Sequence, residues 1–251
     1  MNTEMTGRTA VITGGARGFG KAFGVALAAR GAHAVLVDID GDTAEAAAEE
    51  IRASGAAATG LAGDVVDDAR MSDVMAQAAT LNGGIDILIN NAGLHSYEYG
   101  QPILSMGLAK VRRMFDVNVI GVLTCALAAV PHMKGRAGAS IVNISSSAAY
   151  SHGSAYGDTK LAVASLTITL GRELGRAGIR VNAIAPGLIL TDTIVAELPA
   201  QTKALVKSMQ MIEADGGEED VVEAMLYLTS PLAKFITGET LRVTGGMAAG
   251  V

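Results

Sequence analysis

The sequence predicts an α/β protein in which a doubly wound parallel sheet of about seven strands carries helices on both faces. Short, continuously apolar runs rich in β-branched residues alternate with longer alanine- and leucine-rich segments of helical period. Apolar runs without polar alternation are typical of strands buried on both faces, and strands separated by helices run parallel. Ligands of such sheets bind at the carboxyl ends of the strands, so functional residues are expected there.

The predicted elements alternate regularly along the chain. Strands are predicted at 9–13, 34–38, 57–62, 85–90, 140–145, 180–184 and 240–243. Helices are predicted at 20–30, 43–53, 68–81, 103–134, 155–176 and 218–229. Since no repeat or linker interrupts this alternation, residues 1–251 are expected to form a single domain.

The composition disfavours several classes of protein. The 251 residues include 19 Lys and Arg against 25 Asp and Glu, for a net charge of −6, and a single Cys. Nucleic acids and anionic membranes both select a basic surface, so neither is an expected partner. The apolar stretches are interrupted before the roughly 20 residues that span a bilayer. One cysteine fits a reducing compartment, and we expect a cytoplasmic protein.

A glycine-rich segment follows the first predicted strand and opens the first predicted helix. Glycines permit a tight turn there, and backbone N–H groups at the positive end of a helix bind phosphate groups. This placement favours a pyrophosphate-binding turn over a purely structural one. The turn residues expected to contact a dinucleotide are Gly14, Arg17, Gly18, Phe19 and Gly20.

Asp38 ends the second predicted strand, 18 positions after Gly20. A carboxylate at this place can accept hydrogen bonds from both ribose hydroxyls of an adenosine and would repel a 2′-phosphate. The alternative role is a helix cap, which Asp40 or Asp42 could provide instead. Arg17 favours the phosphorylated cofactor, but repulsion at contact distance outweighs what a solvated Arg contributes. We therefore expect NAD in preference to NADP.

Tyr156 and Lys160 lie four residues apart at the start of a helical segment, so their side chains share one face. A free tyrosine has a pKa of about 10 and is a poor base at neutral pH. A neighbouring ammonium stabilises the phenolate, so we expect Lys160 to lower the pKa of Tyr156. The pair is predicted to be an acid–base unit, although an isolated pair of this kind more often belongs to a solvated helix face.

In combination these motifs resemble the short-chain dehydrogenase/reductase family, in its compact single-domain branch, from about Gly7 to Gly246. The resemblance rests on Thr13-Gly14…Gly18-Phe19-Gly20, Asp64-Val65, Asn90-Asn91-Ala92-Gly93, Asn118, Ser146, Tyr156-xxx-Lys160, and Pro186-Gly187 followed by Thr191. It implies a Rossmann-like fold and an oxidoreductase that interconverts a secondary alcohol and a ketone by hydride transfer to or from NAD.

The resemblance also implies roles for the catalytic residues. Tyr156 would exchange a proton with the substrate oxygen, and Lys160 would hold the nicotinamide ribose as well. Ser146 would donate a hydrogen bond to the substrate oxygen, with Ser145 and Ser147 as alternatives at the same strand end. Only ten positions separate Ser146 from Tyr156, a shorter loop than many relatives carry, and this is expected to reshape the pocket wall.

Asn118 resembles the helix-embedded Asn of the family that holds a water leading towards the Lys; a buried structural Asn is the alternative. The cofactor-binding residues further implied are Asp64, Val65, Asn90, Asn91, Ala92, Gly93, Pro186, Gly187, Ile189 and Thr191. Asp64 would bind the adenine amine or else cap a helix, and Asn90 would lie near the adenosine ribose and brace the sheet. Ile189, through its backbone, and Thr191 would contact the carboxamide.

The segment of about 191–212 resembles a lid over the substrate. Its apolar, Met-bearing sequence favours a cyclic, aromatic or steroid-like substrate, and packing of the lid onto the core is an equal alternative. Candidate pocket-lining residues are His95, Tyr97, Tyr99, Tyr150, His152 and Met209. Two His without Cys or paired acids do not predict a metal site. The pair Arg112–Arg113 is interpreted as a solvated face.

The segments 103–134 and 155–176 form the subunit interface in this family, so a homotetramer, or failing that a dimer, is expected. One rival function is an NADPH-dependent 3-oxoacyl-carrier-protein reductase, which Asp38 and the acidic charge disfavour. Another is a catalytically silent dinucleotide-binding protein, which would be expected to lack Tyr156, Lys160 or the Ser.

Overall fold

The computed structural model describes residues 5–95, 99, 101–151, 153–189 and 200–247. Seven parallel strands form one sheet in the order β3-β2-β1-β4-β5-β6-β7. The strands are β1 (Thr9–Thr13), β2 (His33–Asp38), β3 (Ala58–Ala62), β4 (Ile87–Asn90), β5 (Ser140–Ile144), β6 (Arg180–Pro186) and β7 (Thr240–Val243). The predicted fold class and each of the seven predicted strands are confirmed.

Helices cover both faces of the sheet. They are α1 (Gly18–Ala28), α2 (Gly41–Ala53), α3 (Asp68–Ala79), α4 (Ile103–Met106), α5 (Leu108–Phe115), α6 (Gly121–Met133), α7 (Ala148–Ser151), α8 (Ala155–Leu174), α9 (Ala200–Ser208) and α10 (Glu218–Thr229). One buried cluster joins the sheet to α1, α2 and α10, and a second joins the opposite face to α3, α6 and α8. Both faces are therefore desolvated.

Strand β4 shows why the sequences of these strands are continuous apolar runs. Ile87 and Ile89 pack into the cluster with α1 and α10, whereas Leu88 packs into the cluster with α3 and α6. Because successive side chains of a strand point to opposite faces, Ile87, Leu88 and Ile89 are all buried and all apolar.

The predicted helix over 103–134 is not continuous, which corrects the sequence-based expectation. Gly107, with a φ of +81°, separates α4 from α5, and a five-residue π-helical turn, Asp116–Ile120, separates α5 from α6. The stretch Leu108–Met133 is long and apolar enough to cross a membrane by length and composition alone. Half of its most apolar window is buried inside the fold, as in a core helix.

The strand order places the candidate site. The chain moves outward from β1 to β3 and then returns to the other side of β1 with β4. The carboxyl ends of β1 and β4 therefore border a crevice, the position at which sheets of this kind bind ligands. The glycine turn leaves β1 and the segment Asn90–Gly93 ends β4, so two of the predicted motifs meet there.

Candidate active site

The glycine turn after β1 is shaped to receive an anion. Gly14 and Gly18 have φ values of +62° and +50°, and a Cβ on Gly20 would lie 2.0 Å from the Gly14 carbonyl oxygen. No neighbouring atom lies within 4 Å of the position a Gly18 Cβ would take. Only glycine tolerates this combination of left-handed backbone and close approach, which leaves an open face above the turn.

Helix α1 begins without a side-chain cap, unlike several other helices of the chain. Within the described residues no side chain bonds to its first-turn N–H groups, whereas Asp40 caps α2, Asp67 caps α3 and Ser154 caps α8. Uncapped N–H groups at a helix start bind phosphate oxygens. The turn and the first residues of α1 therefore fit a pyrophosphate.

Asn91 holds the turn in place from the end of β4. Its Nδ2 donates to the carbonyl oxygens of Thr13 and Gly14 at 3.1 and 3.0 Å. The hydroxyl of Thr13 accepts in return from the backbone N–H groups of Asn91 and Ala92, both at 3.1 Å. This network of hydrogen bonds joins β1 to the end of β4, and the Asn91 side chain supports the turn within it.

Asn90 and Phe19 have contacts within the fold. The Nδ2 of Asn90 donates to Oδ1 of Asn143 at 2.8 Å, so its side chain braces β4 against β5. Its own Oδ1 is buried without a partner among the described residues. Phe19 stacks on Phe23 with 6.0 Å between ring centroids and packs α1 onto the core.

Asp38 is held beside the turn and does not cap α2. Its Oδ2 accepts from the N–H of Ala16 at 3.2 Å, and its Oδ1 accepts from the N–H of Asp40 at 3.2 Å. Asp40 is the cap, because its side chain accepts from both the N–H and the hydroxyl of Thr43, bonds that lower the pKa of Asp40. The exposed Arg17 starts α1, and its charge also lowers the pKa of Asp40 slightly.

Asp64 and Val65 lie between β3 and α3. Asp64 accepts from the Val66 N–H at 3.2 Å through Oδ1 and forms an ion pair with Arg113 at 3.4 Å through Oδ2. Val65 is buried against Gly121, at which a Cβ would lie 2.7 Å from a Val65 methyl group. The interpretation of Arg112–Arg113 as a solvated face fits the exposed Arg112, whereas the half-exposed Arg113 also pairs with Asp64.

The three serines after β5 have different hydrogen-bond partners. The Ser145 hydroxyl donates to the carbonyl oxygen of Lys160 at 2.8 Å and is buried. Ser147 is also buried and its N–H donates to the Pro186 carbonyl at 2.8 Å. The Ser146 hydroxyl oxygen accepts from the Ala148 N–H at 3.1 Å, and hydrogen bonding by this hydroxyl lowers the pKa of Tyr156. Of the three serines, Ser146 is the one joined to the phenol.

Tyr156 and Lys160 lie beside each other at the start of α8. The ammonium nitrogen of Lys160 lies 5.6 Å from the centroid of the Tyr156 ring and donates to the Ile144 carbonyl at 2.8 Å. The hydroxyl of Ser154 caps α8 through the N–H of Gly157 at 3.0 Å, which fixes where the helix begins. One turn of helix therefore places phenol and ammonium together beneath the end of β5.

Burial controls the ionisation of this pair, and it corrects one sequence-based expectation. Desolvation raises the pKa of Tyr156, and the hydrogen bond with Ser146 opposes this increase. Desolvation also lowers the pKa of Lys160 to about 8. The expected lowering of the Tyr156 pKa by the ammonium is not what the protein alone shows, because burial disfavours both charged forms.

Asn118 lies in the π-helical turn and is fully engaged. Its Oδ1 accepts from the Leu94 N–H at 2.7 Å, and its Nδ2 donates to the Leu94 carbonyl at 3.0 Å and to the Thr159 hydroxyl at 3.1 Å. A Cβ on Gly93 would lie 3.3 Å from the Asn118 Oδ1 and 3.5 Å from the Lys160 ammonium. Asn118 therefore ties the segment after β4 to α8 next to Lys160, and its role in holding a water stays a prediction.

The segment after β6 contacts the residues that follow β5 and β7. The Pro186 carbonyl accepts from Ser147, and a Cβ on Gly187 would lie 2.8 Å from the Thr244 backbone. Ile189 buries its side chain in the core and its backbone pairs with Gly216. Thr191 lies outside the described residues.

The candidate pocket residues have different environments. Tyr150 lies beneath Arg242, with 5.3 Å between the guanidinium carbon and the ring centroid, a contact that the sequence did not predict. His95 is exposed, and Met209 is 55% exposed just after α9. Tyr97 and His152 lie outside the described residues. Tyr99 and Tyr156 pack on a small apolar cluster of Met106, Met114 and Ala155, which gives the phenol an apolar wall.

Comparison with known proteins identifies the family. A family model described as "Enoyl-(Acyl carrier protein) reductase" matches residues 14–248, nearly the whole chain. The chain belongs to the short-chain dehydrogenase/reductase family. It is therefore an NAD(P)-dependent oxidoreductase of this family.

Three similar proteins have informative names. A cis-4-hydroxycyclohexanecarboxylate dehydrogenase of Sinomonas cyclohexanicum is 35% identical over 252 residues, covering 99% of this chain and all of the relative. A 7α-hydroxysteroid dehydrogenase solved with NADH and 7-oxo glycochenodeoxycholic acid has a TM-score of 0.90 and 32% identity, covering 98% and 96% of the two chains. A D-mannonate oxidoreductase from Haemophilus influenza, assigned by its name only provisionally and solved with NAD, has a TM-score of 0.93 and 26% identity, covering 100% and 98%.

The residues present fit a nicotinamide dinucleotide. The uncapped start of α1 fits the pyrophosphate and Asp38 fits the adenosine ribose, while Lys160 lies at the carboxyl end of β5. Bound there, the cofactor accepts or donates a hydride. The residues of the chain would bind the cofactor and the substrate and would transfer the proton.

We expect Ser146→Ala to lower kcat by about 10²–10³-fold, because the donor that the family resemblance assigns to the substrate oxygen is removed. Ser147→Ala is the matched control and should keep kcat near that of wild type, whereas Ser145→Ala should lower the melting temperature. Steady-state kinetics and thermal unfolding of the three variants measure these effects. Equal losses of kcat in Ser146→Ala and Ser147→Ala would contradict the assignment.

The buried Lys160 predicts a pH-dependent stability. Its pKa falls from 10.5 to about 8 on folding, so between these values the unfolded chain binds more protons and the free energy of unfolding rises with pH. Wild type should therefore gain stability relative to Lys160→Met as pH increases from about 8 to about 10. Urea unfolding across this range measures the difference, with the exposed Lys134→Met as control. A difference that does not change with pH would refute the burial effect.

Proposed function

We propose that the protein interconverts a secondary alcohol and a ketone on an apolar, cyclic framework, with NAD as the preferred cofactor. The observation that carries the proposal is the placement of Tyr156 beside the buried Lys160, with 5.6 Å between the ammonium and the ring centroid, next to Ser146 after β5. Two hydroxyl groups that meet in a crevice next to a cation can bind one substrate oxygen and move its proton. The relatives named for hydroxycyclohexane and hydroxysteroid substrates support a cyclic alcohol.

Each residue would have a distinct part in the reaction. Ser146 would donate to the substrate oxygen and stabilise the negative charge that develops there. Tyr156 would take the alcohol proton during oxidation and return it to the carbonyl oxygen during reduction. Lys160, once its ammonium leaves the Ile144 carbonyl, would bind the nicotinamide ribose and favour the phenolate by its charge.

The apolar wall around the phenol supports the substrate class. Met106, Met114 and Ala155 pack against Tyr156, so the substrate oxygen would be presented to the two hydroxyls from an apolar surrounding. An apolar surrounding excludes water, which strengthens the hydrogen bonds that act on the reacting oxygen. A cyclic hydrocarbon framework suits such a wall better than a sugar.

Asp38 supports NAD over NADP. Its carboxylate, fixed by Ala16 and Asp40, lies where the adenosine ribose would be bound, and it would repel a 2′-phosphate. This carboxylate also argues against the NADPH-dependent 3-oxoacyl-carrier-protein reductase. A catalytically silent protein would not be expected to keep Ser146 and Tyr156 hydrogen-bonded beside Lys160.

We also propose a homotetramer, or failing that a dimer, in the cytoplasm. Large apolar side chains are exposed along α6 and α8, and others near the end of the chain; they are Leu127, Leu161, Ile168, Leu232, Phe235 and Leu241. A second copy of the chain could cover such faces. The only cysteine, Cys125, is buried with a pKa raised to about 12, which suits a thiol with no disulfide role.

The direct test of the catalytic role is Tyr156→Phe. Removing the phenolic oxygen should lower kcat for a cyclic alcohol by at least about 10²-fold, because the proton acceptor is lost. NADH titrated by fluorescence should bind as it does to wild type. Tyr227→Phe, on the exposed side of α10, is the control and should keep full activity. A Tyr156→Phe protein that turns over normally would overturn the proposal.

The cofactor preference is tested by Asp38→Asn. Removing the charge should lower the ratio of the NADPH to the NADH dissociation constant by about tenfold, since the repulsion of the 2′-phosphate is lost. Asp42→Asn, exposed in the first turn of α2, should leave the ratio unchanged. Wild-type protein that binds NADPH more tightly than NADH would contradict the preference.

A further inference from the structure

We infer that Arg113 is a positioning residue of the adenine subsite: it fixes the Asp64 carboxylate in the orientation that receives the adenine amine. The inference rests on the proposed use of a nicotinamide–adenine dinucleotide. Arg113 lies 49 positions from Asp64 in the chain, and the Nη2–Oδ2 distance of 3.4 Å brings the two together. Cofactor binding would thereby depend on a side chain of helix α5.

The Asp64 carboxylate is held at two points and keeps room for a third. One oxygen accepts from the Val66 N–H at 3.2 Å and the other meets the Arg113 guanidinium. An ionised carboxylate has about four acceptor positions, so a donor amine can still bind beside these partners. Without Arg113, the Val66 bond would be the one restraint on the Asp64 carboxylate from the described residues, and the carboxylate could rotate about it.

The backbone around Arg113 is fixed by neighbouring contacts. Met114 is fully buried under α5, and the Thr124 hydroxyl donates to Asp68 Oδ1 at 2.9 Å. Val65 packs against Gly121 at the start of α6. The segment that carries Asp64 is therefore docked on the helices that follow Arg113, so the position of the guanidinium is set by the fold.

Charge gives a second reason for a cation at this point. Asp64 is followed closely by Asp67 and Asp68, and a dinucleotide adds two phosphate charges to the same crevice. Arg113 is the cation that pairs with Asp64, and its side chain is 42% exposed. A half-exposed ion pair contributes little stability by itself. Its effect is therefore expected in the orientation of Asp64 and in cofactor binding.

The neighbouring Arg112 provides a matched control. It carries the same charge on the same helix but is exposed, and Met114 packs inward two residues later. General electrostatic attraction of an anionic cofactor would be lost about equally in Arg112→Ala and Arg113→Ala. Positioning of Asp64 would be lost in Arg113→Ala alone.

The experiment is a double-mutant cycle on NADH binding to the full chain. Arg113→Ala should weaken NADH binding about threefold to fivefold, and Arg112→Ala should bind like wild type. In the Asp64→Asn background, Arg113→Ala should have no further effect, because the carboxylate it positions is absent. Arg113→Lys should restore part of the affinity. Thermal unfolding of each variant shows that the fold is kept.

A truncated cofactor separates positioning from a structural role. Reduced nicotinamide mononucleotide lacks the adenine, so its turnover by Arg113→Ala should equal that by wild type. Equal loss with both cofactors, additive effects of Asp64→Asn and Arg113→Ala, or unchanged NADH binding in Arg113→Ala would each overturn the inference. Wild-type protein that fails to bind NADH would instead overturn the proposed cofactor.

Discussion

The placement of the half-buried Tyr156 beside the buried Lys160 at one end of α8 is the constraint on which the site depends. Neither the phenolate nor the ammonium is favoured in an apolar surrounding, so desolvation raises the pKa of Tyr156 and lowers the pKa of Lys160 to about 8. The available compensation comes from hydrogen bonds, to Ser146 for the phenol and to the Ile144 carbonyl for the ammonium. The pKa of a desolvated group changes strongly when another charge enters the crevice.

The rest of the fold positions this pair against the cofactor crevice. The Ser145 hydroxyl fixes the backbone of Lys160 from β5, and Asn118 ties the Thr159 hydroxyl to the segment after β4. The π-helical turn is what brings Asn118 inward, since a regular helix would not widen at that place. The π-helical turn that interrupts the helix is therefore also the feature that places Asn118 in the site.

Much of this was predictable from the sequence because it depends on local signals. The apolar runs gave the strands, and the glycine turn lies between the first strand and helix as expected. The distinction between Asp38 and Asp40 needed the structure, because the two differ in side-chain direction rather than in type. The pairing of Arg113 with Asp64 joins distant segments, and the raised pKa of Tyr156 depends on desolvation. Neither has a local pattern in the sequence.

The most direct test of the account is a crystal structure of the chain with NAD and an unreactive cyclic alcohol. The account predicts the alcohol oxygen within hydrogen-bond distance of both the Tyr156 and the Ser146 hydroxyls, with the Lys160 ammonium turned from the Ile144 carbonyl to the nicotinamide ribose. An alcohol bound away from the phenol, or a Tyr156 and a Lys160 that open into separate cavities, would contradict it.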